Sequence, residues 1–277
     1  MAKTRQGGKV LVPRHSALTR ITHWLNVLAV ALLLMSGLQI FNAHPALYWG
    51  SDSRFDRPWL SMSEQDVGDA PRGITTLGPY RFDTTGVFGW SGPPGMMEKR
   101  GFPRWATLPS YRSLADGRRW HFFLAWVFVA NGLIYLGWSL LGGHVRRDLW
   151  PSRAQLSPRH LLHEIATHAR LKFPKGEAAR SYNVLQKLAY LAVIFVLLPL
   201  MVLTGLTMSP GFDAAVPQLL DLFGGRQSAR SIHFISAGLI VAFVLTHLVM
   251  VVASGFWNNI RSMITGRYAI EPEGEGA

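Results

Sequence analysis

The chain is 277 residues long, 49% hydrophobic and 16% charged, with no cysteine and a formal charge of +12. Soluble domains are roughly one quarter charged, so the composition points away from one. The absent thiols exclude thiolate metal centres, iron–sulfur ligation by this chain and covalent c-type haem attachment. The basic residues lie between and beside apolar stretches, which fits membrane topology better than a nucleic-acid face.

Four apolar stretches are long enough to cross a bilayer, which takes about 20 residues at a rise of 1.5 Å each. They cover 21–41, 120–141, 188–208 and 232–256. The first follows a basic lead (Lys3, Arg5, Lys9, Arg14, Arg20) that fits a signal peptide. Its apolar run is too long for one and no small-residue cleavage site follows, so a retained span is expected. Segment 42–119 is rich in Gly, Pro, Trp and Arg and shows no sustained period, so irregular structure with short turns is expected there. Trp49, Trp59, Trp90 and Trp105 argue against a disordered tether. They suggest a membrane-hugging cap or a docking surface for a periplasmic partner.

After the second span, Ser157-Pro158 reads as a helix start. Leu161, Leu162, Ile165, Ala166 and Ala169 then share one face, with Arg159, His163, Glu164 and Arg170 elsewhere. That pattern predicts an amphipathic interfacial helix over 157–172, closed by a breaker at Phe173–Gly176. Lys/Arg counts set the orientation: the N-terminal tail carries five, 142–183 carries eight, and 209–231 only Arg226 and Arg230. Both termini and 142–183 should be cytoplasmic and 209–231 outside. Segment 42–119 then lies outside despite its basic residues, being long enough to escape the rule. The expected fold is all-α: a single transmembrane four-helix bundle over 1–277, with an interfacial helix and a long irregular outer loop. The bacterial inner membrane is the expected location.

Four of the ten histidines have informative positions. His23 lies at the inner end of span one and His121 at the outer end of span two. His233 and His247 lie near the outer end and in the inner half of span four. An imidazole in lipid is costly unless it faces the bundle interior and finds a partner. Fourteen residues advance a helix about 21 Å and leave a rotation of only about 40°, so His233 and His247 share a face at different depths. Depth then pairs His121 with His233 and His23 with His247. Haem iron accepts imidazole, and bundle cores house such cofactors. Two bis-histidine haem b sites are therefore expected, closed to oxygen and suited to electron transfer.

Gly37, Gly132, Gly137, Gly205 and Gly238 are candidate flat walls, and Arg20, Arg119 and Arg230 candidate propionate partners. A histidine-based metal transporter would want carboxylates and a polar path at mid-membrane, and neither is visible. His163-Glu-Ile-Ala-Thr-His168 is one residue too long for a zinc-protease motif. His160, His163, His168, His15, His44 and His144 are expected on solvated or interfacial faces.

Histidines in helices one, two and four, the fourth bearing two that are fourteen apart, resemble the bacterial cytochrome b561-like superfamily. That group includes the cytochrome b subunits of formate dehydrogenase, nickel–iron hydrogenase and thiosulfate reductase. His23-Trp24 and Tyr182-Asn183-Val-Leu-Gln186-Lys187 are similar to the formate dehydrogenase subunit. The resemblance implies the same histidine pairing, and a quinone at the cytoplasmic start of span three with Asn183 as ligand and Tyr182 and Gln186 as neighbours. The outer loop is longer than in that subunit. It is more similar to cytochromes thought to accompany periplasmic molybdopterin oxidoreductases of sulfite-oxidase type. The implied function is electron transfer between such a partner and the quinone pool, with a stand-alone superoxide:quinone oxidoreductase as the alternative.

Overall fold

The computed structural model describes residues 4–6, 9–68, 70–170 and 182–270. The expected breaker at Phe173–Gly176 lies outside the described residues. Strands β1 (Thr4–Gln6) and β2 (Lys9–Pro13) open the chain, followed by α1 (Ala17–Phe41). The outer segment holds β3 (Ala46–Leu47), β4 (Leu60–Val67), β5 (Ala70–Leu77), β6 (Tyr80–Asp83), β7 (Gly89–Ser91) and β8 (Glu98–Arg100). Next come α2 (Leu114–Leu141), a π-helical turn Val145–Leu149, and α3 (Pro158–Ala169).

The third apolar stretch is α4 (Val184–Ala192), a π-helical turn Val193–Leu197, and α5 (Leu198–Thr207). Short α6 (Pro210–Ala215) and α7 (Gln218–Leu222) lead to α8 (Arg226–Ala253), α9 (Phe256–Thr265) and β9 (Arg267–Ile270). Four of these helical stretches are long and apolar enough to cross a membrane: Ala17–Phe41, Leu114–Leu141, Val184–Thr207 and Arg226–Ala253. Between 6% and 22% of their most apolar windows is buried inside the protein. So much apolar surface without a protein partner is surface for lipid.

The all-α expectation fails in two places. Strands β1, β2 and β9 form an antiparallel sheet, Val10 facing Ile270 and Val12 facing Tyr268, so the two ends of the described chain share one sheet. The outer segment is likewise not irregular. It holds a four-stranded antiparallel sheet in the order β3-β4-β5-β6 and a separate β7–β8 hairpin. Leu60 pairs with Leu77 and Val67 with Ala70 across a two-residue turn, and Leu77 pairs with Tyr80 across Gly78-Pro79. Gly78 there takes φ 55°, a conformation open to glycine.

The strands were illegible by period because only one end of the sheet has an apolar face. Leu60 and Met62 alternate inward on β4 and pack with Leu47 and Phe41, against Trp59, Phe88, Phe102 and Phe234. Beyond Met62 the β4–β5 hairpin is largely polar on both faces, apart from Ile74, buried opposite Ser63, and exposed Val67.

Contacts divide the chain into two compact units. One comprises Met1–Leu25, Asn131–Pro199 and Leu239–Ala277; the other comprises Asn26–Ala130 and Leu200–Gly238. The second unit fastens the outer segment to the start of α8. Trp59 donates from its indole to Ser231 Oγ (2.9 Å), which donates to the Tyr48 carbonyl (2.6 Å). Gly50 donates its N–H to Ser228 Oγ at 2.8 Å. Of the four tryptophans read as too costly for a tether, Trp59 and Trp90 are half-buried, while Trp49 and Trp105 stay exposed.

In the same unit Arg100 is wholly buried and carries an ion pair to Glu98 at 2.8 Å, with Arg104 reaching Glu98 at 2.7 Å. The hydrogen bond from Arg104, then that from Arg100, hold the Glu98 carboxyl at about 2 against an ordinary 4.5. A carboxyl depressed on folding stabilises fully above its unfolded value and loses that contribution as pH falls to its folded value. The outer segment should therefore loosen between about pH 4.5 and pH 2. Proteolysis within 42–119 at stepped pH should show this, and Glu98→Gln should flatten the dependence.

Candidate cofactor site: two histidine pairs

The outer pair is built from four helices, α1, α2, α5 and α8, within one unit. His121 of α2 and His233 of α8 face each other with ring centres 6.3 Å apart and planes at 63°. Ser36 Oγ of α1 donates to the Leu32 carbonyl at 2.8 Å and stands 3.1 Å from His121 Nδ1. A hydroxyl has one proton. With that proton on the helix carbonyl, Ser36 accepts, so Nδ1 of His121 carries the hydrogen and Nε2 the lone pair. Thr204 of α5 repeats the arrangement: it donates to Leu200 O at 2.6 Å and accepts from His233 Nδ1 at 3.0 Å.

Each hydroxyl is followed by a glycine. A Cβ at Gly37 would stand 3.3 Å from His121 Cε1, and one at Gly205 would stand 3.5 Å from His233 Cε1. Of the glycines read as candidate walls, these two abut the imidazoles. At Gly132, Gly137 and Gly238 a Cβ would meet nothing within 4 Å.

The inner pair lies wholly in the other unit. His23 of α1 and His247 of α8 have ring centres 6.4 Å apart and planes at 58°. Among the described residues His23 Nδ1 is buried with no hydrogen-bond partner, a cost of about 1–3 kcal/mol unless the ring serves some other purpose. Phe243, one helical turn from His247, stacks on it at 5.9 Å and 18°. Rings then continue from Phe243 to Tyr190 (6.5 Å) and from Tyr190 to Tyr182 (5.6 Å).

The spacing discriminates between uses of paired histidines. A direct imidazole–imidazole hydrogen bond, with nitrogens about 2.9 Å apart, holds ring centres within about 5.2 Å. With metal–nitrogen bonds of about 2.0 Å, two imidazoles opposed across a metal would stand about 6.3 Å apart, and two disposed tetrahedrally about 5.1 Å. Both pairs have the wider spacing. Among the described residues, no cluster of three or more His, Cys, Asp or Glu side chains could hold a metal ion. Two imidazoles per metal would suit a haem iron, whose porphyrin supplies the other ligands.

Residues 14–266 match the family model of prokaryotic cytochrome b561. The chain belongs to the prokaryotic cytochrome b561 family. It is 30% identical over 237 residues to an Azospira oryzae protein named as a putative protein-methionine-sulfoxide reductase subunit YedZ1, covering 86% of this chain and 89% of that one. No solved structure matches it. Cytochromes of the b561 family bind b-type haem, and with four apolar helices this chain is a multi-pass membrane haem protein of electron transport.

The arginines expected at propionates have partners of their own in this b561-family fold. Arg119 is 81% exposed and pairs with Asp116 at 3.1 Å, so its charge is already met. Arg230 donates to the Ala46 carbonyl at 3.0 Å and to the His44 carbonyl at 2.5 Å. Arg20 donates to the Ser16 and Ile264 carbonyls. Carbonyls orient a guanidinium without neutralising it, so Arg20 and Arg230 keep a charge to offer.

Asn183 is the N-cap of α4. Its side-chain oxygen accepts from Gln186 N at 2.9 Å, and the Gln186 side chain accepts from Asn183 N at 3.3 Å, a reciprocal capping box. Its Nδ2 donates to His168 Nε2 at 2.6 Å and to Glu164 Oε2 at 3.3 Å. His168, expected on a solvated or interfacial face, is not solvated: its side chain is 13% exposed and engaged with Asn183 and Glu164. His15 is also drawn inward, 3.4 Å from the Tyr182 hydroxyl. Burial, then the neighbouring Arg14 charge, lower His15 to about 4. His163 remains exposed, as expected of an interfacial face, and Leu162 and Ile165 of α3 are exposed beside it.

Proposed function

We propose that this chain carries two b haems, one between His121 and His233 and one between His23 and His247. Its role is to pass electrons across the bacterial inner membrane between a periplasmic oxidoreductase and the quinone pool, with both termini in the cytoplasm. The observation that carries the reading is the pair of ring separations, 6.3 Å and 6.4 Å, each too wide for a hydrogen bond and right for a shared iron. Bound haem supplies a one-electron couple. The chain supplies two imidazoles per iron, a water-poor setting and, through Arg20 and Arg230, positive charge beside the carboxylates.

The printed name of the Azospira relative, a reductase subunit, and the folded outer segment support a partner enzyme outside the membrane, a molybdopterin oxidoreductase. Quinone is assigned to the start of α4 at Asn183, with Tyr182 and Gln186 beside it. The ring contacts from Tyr182 through Tyr190 and Phe243 to His247 support that location. A reduced-minus-oxidised spectrum with a b-type band, two haems per chain, and a soluble redox subunit co-migrating in the native complex are the expected results. A colourless protein after expression with ample haem overturns the reading.

Asn183 can be tested separately from the helix it caps. Serine keeps an N-cap oxygen at a cost of a few tenths of a kcal/mol and removes the Nδ2 donor. Asn183→Ser should raise the quinone KM by roughly 2- to 12-fold, the worth of one hydrogen bond, with haem content unchanged. Steady-state quinol oxidation by the purified complex measures it.

A further inference from the structure

Two dipeptides, Ser36-Gly37 on α1 and Thr204-Gly205 on α5, meet the two outer histidines in the same way. Each hydroxyl is fully buried, spends its proton on the carbonyl four residues back, and accepts from a histidine Nδ1 at 3.1 Å or 3.0 Å. Each following glycine admits the ring edge within 3.3–3.5 Å of where a Cβ would stand. The inner pair is built otherwise: His23 Nδ1 meets no hydrogen-bond partner among the described residues.

We infer that Ser36 and Thr204 are positioning residues that fix His121 and His233 as Nε2 ligands and tune the electron density they give the iron, with Gly37 and Gly205 making room for the rings. The inference rests on the haem reading above. Its physical basis is the partner on the ring nitrogen away from the metal. An acceptor there fixes the tautomer and rotation of the imidazole and makes it a stronger base toward the metal. A more basic ligand favours oxidised iron. Taking the acceptor away therefore raises the potential of that haem. A hydroxyl whose proton points into its own helix can only accept, so the arrangement cannot flip to the opposite tautomer.

The test is a potentiometric titration of the purified holoprotein, following both haems. Ser36→Ala/Thr204→Val should raise the outer haem's midpoint potential by about 59 mV, a tenfold change in its reduced-to-oxidised ratio for one electron. The single variants should shift it less in the same direction, and the inner haem should stay at its parent value. Ser36→Thr and Thr204→Ser keep the acceptor and should restore the parent potential. Loss of the outer haem alone from the double variant, recovered in these conservative ones, also supports the role. An unchanged outer potential with both haems bound overturns it, as does an equal shift or loss at both haems. If His121→Ala itself leaves two haems in place, the ligand reading has failed, and that result differs from an unmoved potential.

Discussion

On the proposed ligation, His121→Ala should lower the haem content from two per chain to one, and His233→Ala should do the same. His23→Ala and His247→Ala should each empty the other site and leave the first intact. The prediction is this sharp because each ring pair belongs to a single compact unit: His121 and His233 to one, His23 and His247 to the other. An axial ligand removed from a buried site is not replaced cheaply, since the lost nitrogen leaves a non-polar wall. Outer-shell changes alone cost metal sites about 10–100-fold in affinity, and losing a direct ligand costs more. Haem extracted per mole of polypeptide reads the outcome directly. A variant that retained both haems would exclude the altered residue as a ligand. A single substitution that emptied both sites would break the pairing.

The four histidines were legible because helix geometry is regular. A rise of 1.5 Å and 3.6 residues per turn turn the spacing of His233 and His247 into depth and face without any tertiary information. What orients their partners was not legible. Ser36 and Thr204 read as ordinary small residues in apolar helices, where hydroxyls commonly bond back to their own carbonyls. Only the packing of α1 on α2 and of α5 on α8 brings them to Nδ1. Their one sequence signal was position, each standing directly before a glycine already singled out.

The outer segment failed for a different reason. Strand patterning is visible where one face is buried, and β4 buries only Leu60 and Met62 before both its faces turn polar. Gly68 and Gly78, with φ of 66° and 55°, stand at the turns of the β4–β5 and β5–β6 hairpins, and short turns alone do not report the strands between them. His168 was misread because its neighbours Asn183 and Glu164 come from helix ends fourteen or more residues apart or from its own preceding turn. Neither periodicity nor motif length reports such a contact.

Arg100→Leu should unfold the outer segment, and Arg100→Lys should fare little better. The guanidinium has five N–H donors in a fixed fork, and five bonds account for them. Nε donates to the Phe102 carbonyl (3.1 Å); one terminal nitrogen serves Glu98 Oε1 (2.8 Å) and the Ser110 carbonyl (2.9 Å). The other serves Gln39 Oε1 (3.1 Å) and Thr107 Oγ1 (2.9 Å). Strand β8, the end of α1 and the stretch 102–110 are thus held by one buried cation. Gln39 passes the tie on through its own donor to the Tyr111 carbonyl at 2.9 Å.

Removing the buried cation costs about 3 kcal/mol or more: Glu98 keeps Arg104, but the Gln39, Thr107, Phe102 and Ser110 acceptors lose their donor together. Lysine offers three donors from a single point and cannot span acceptors on three segments. Because His44 and Tyr48 lie in the segment that fastens to α8 through Arg230 and Ser231, the loss should loosen that attachment as well. Protease cleavage within 42–119 should rise by two orders of magnitude or more, since about 3 kcal/mol is over a hundredfold in the open population. The haem between His23 and His247 should stay, because those ligands and the elements that carry them belong to the other unit. Cleavage no faster than in the parent would mean that the outer segment is held by its apolar contacts around Leu47 and Met62, and that the buried cation is a passenger there.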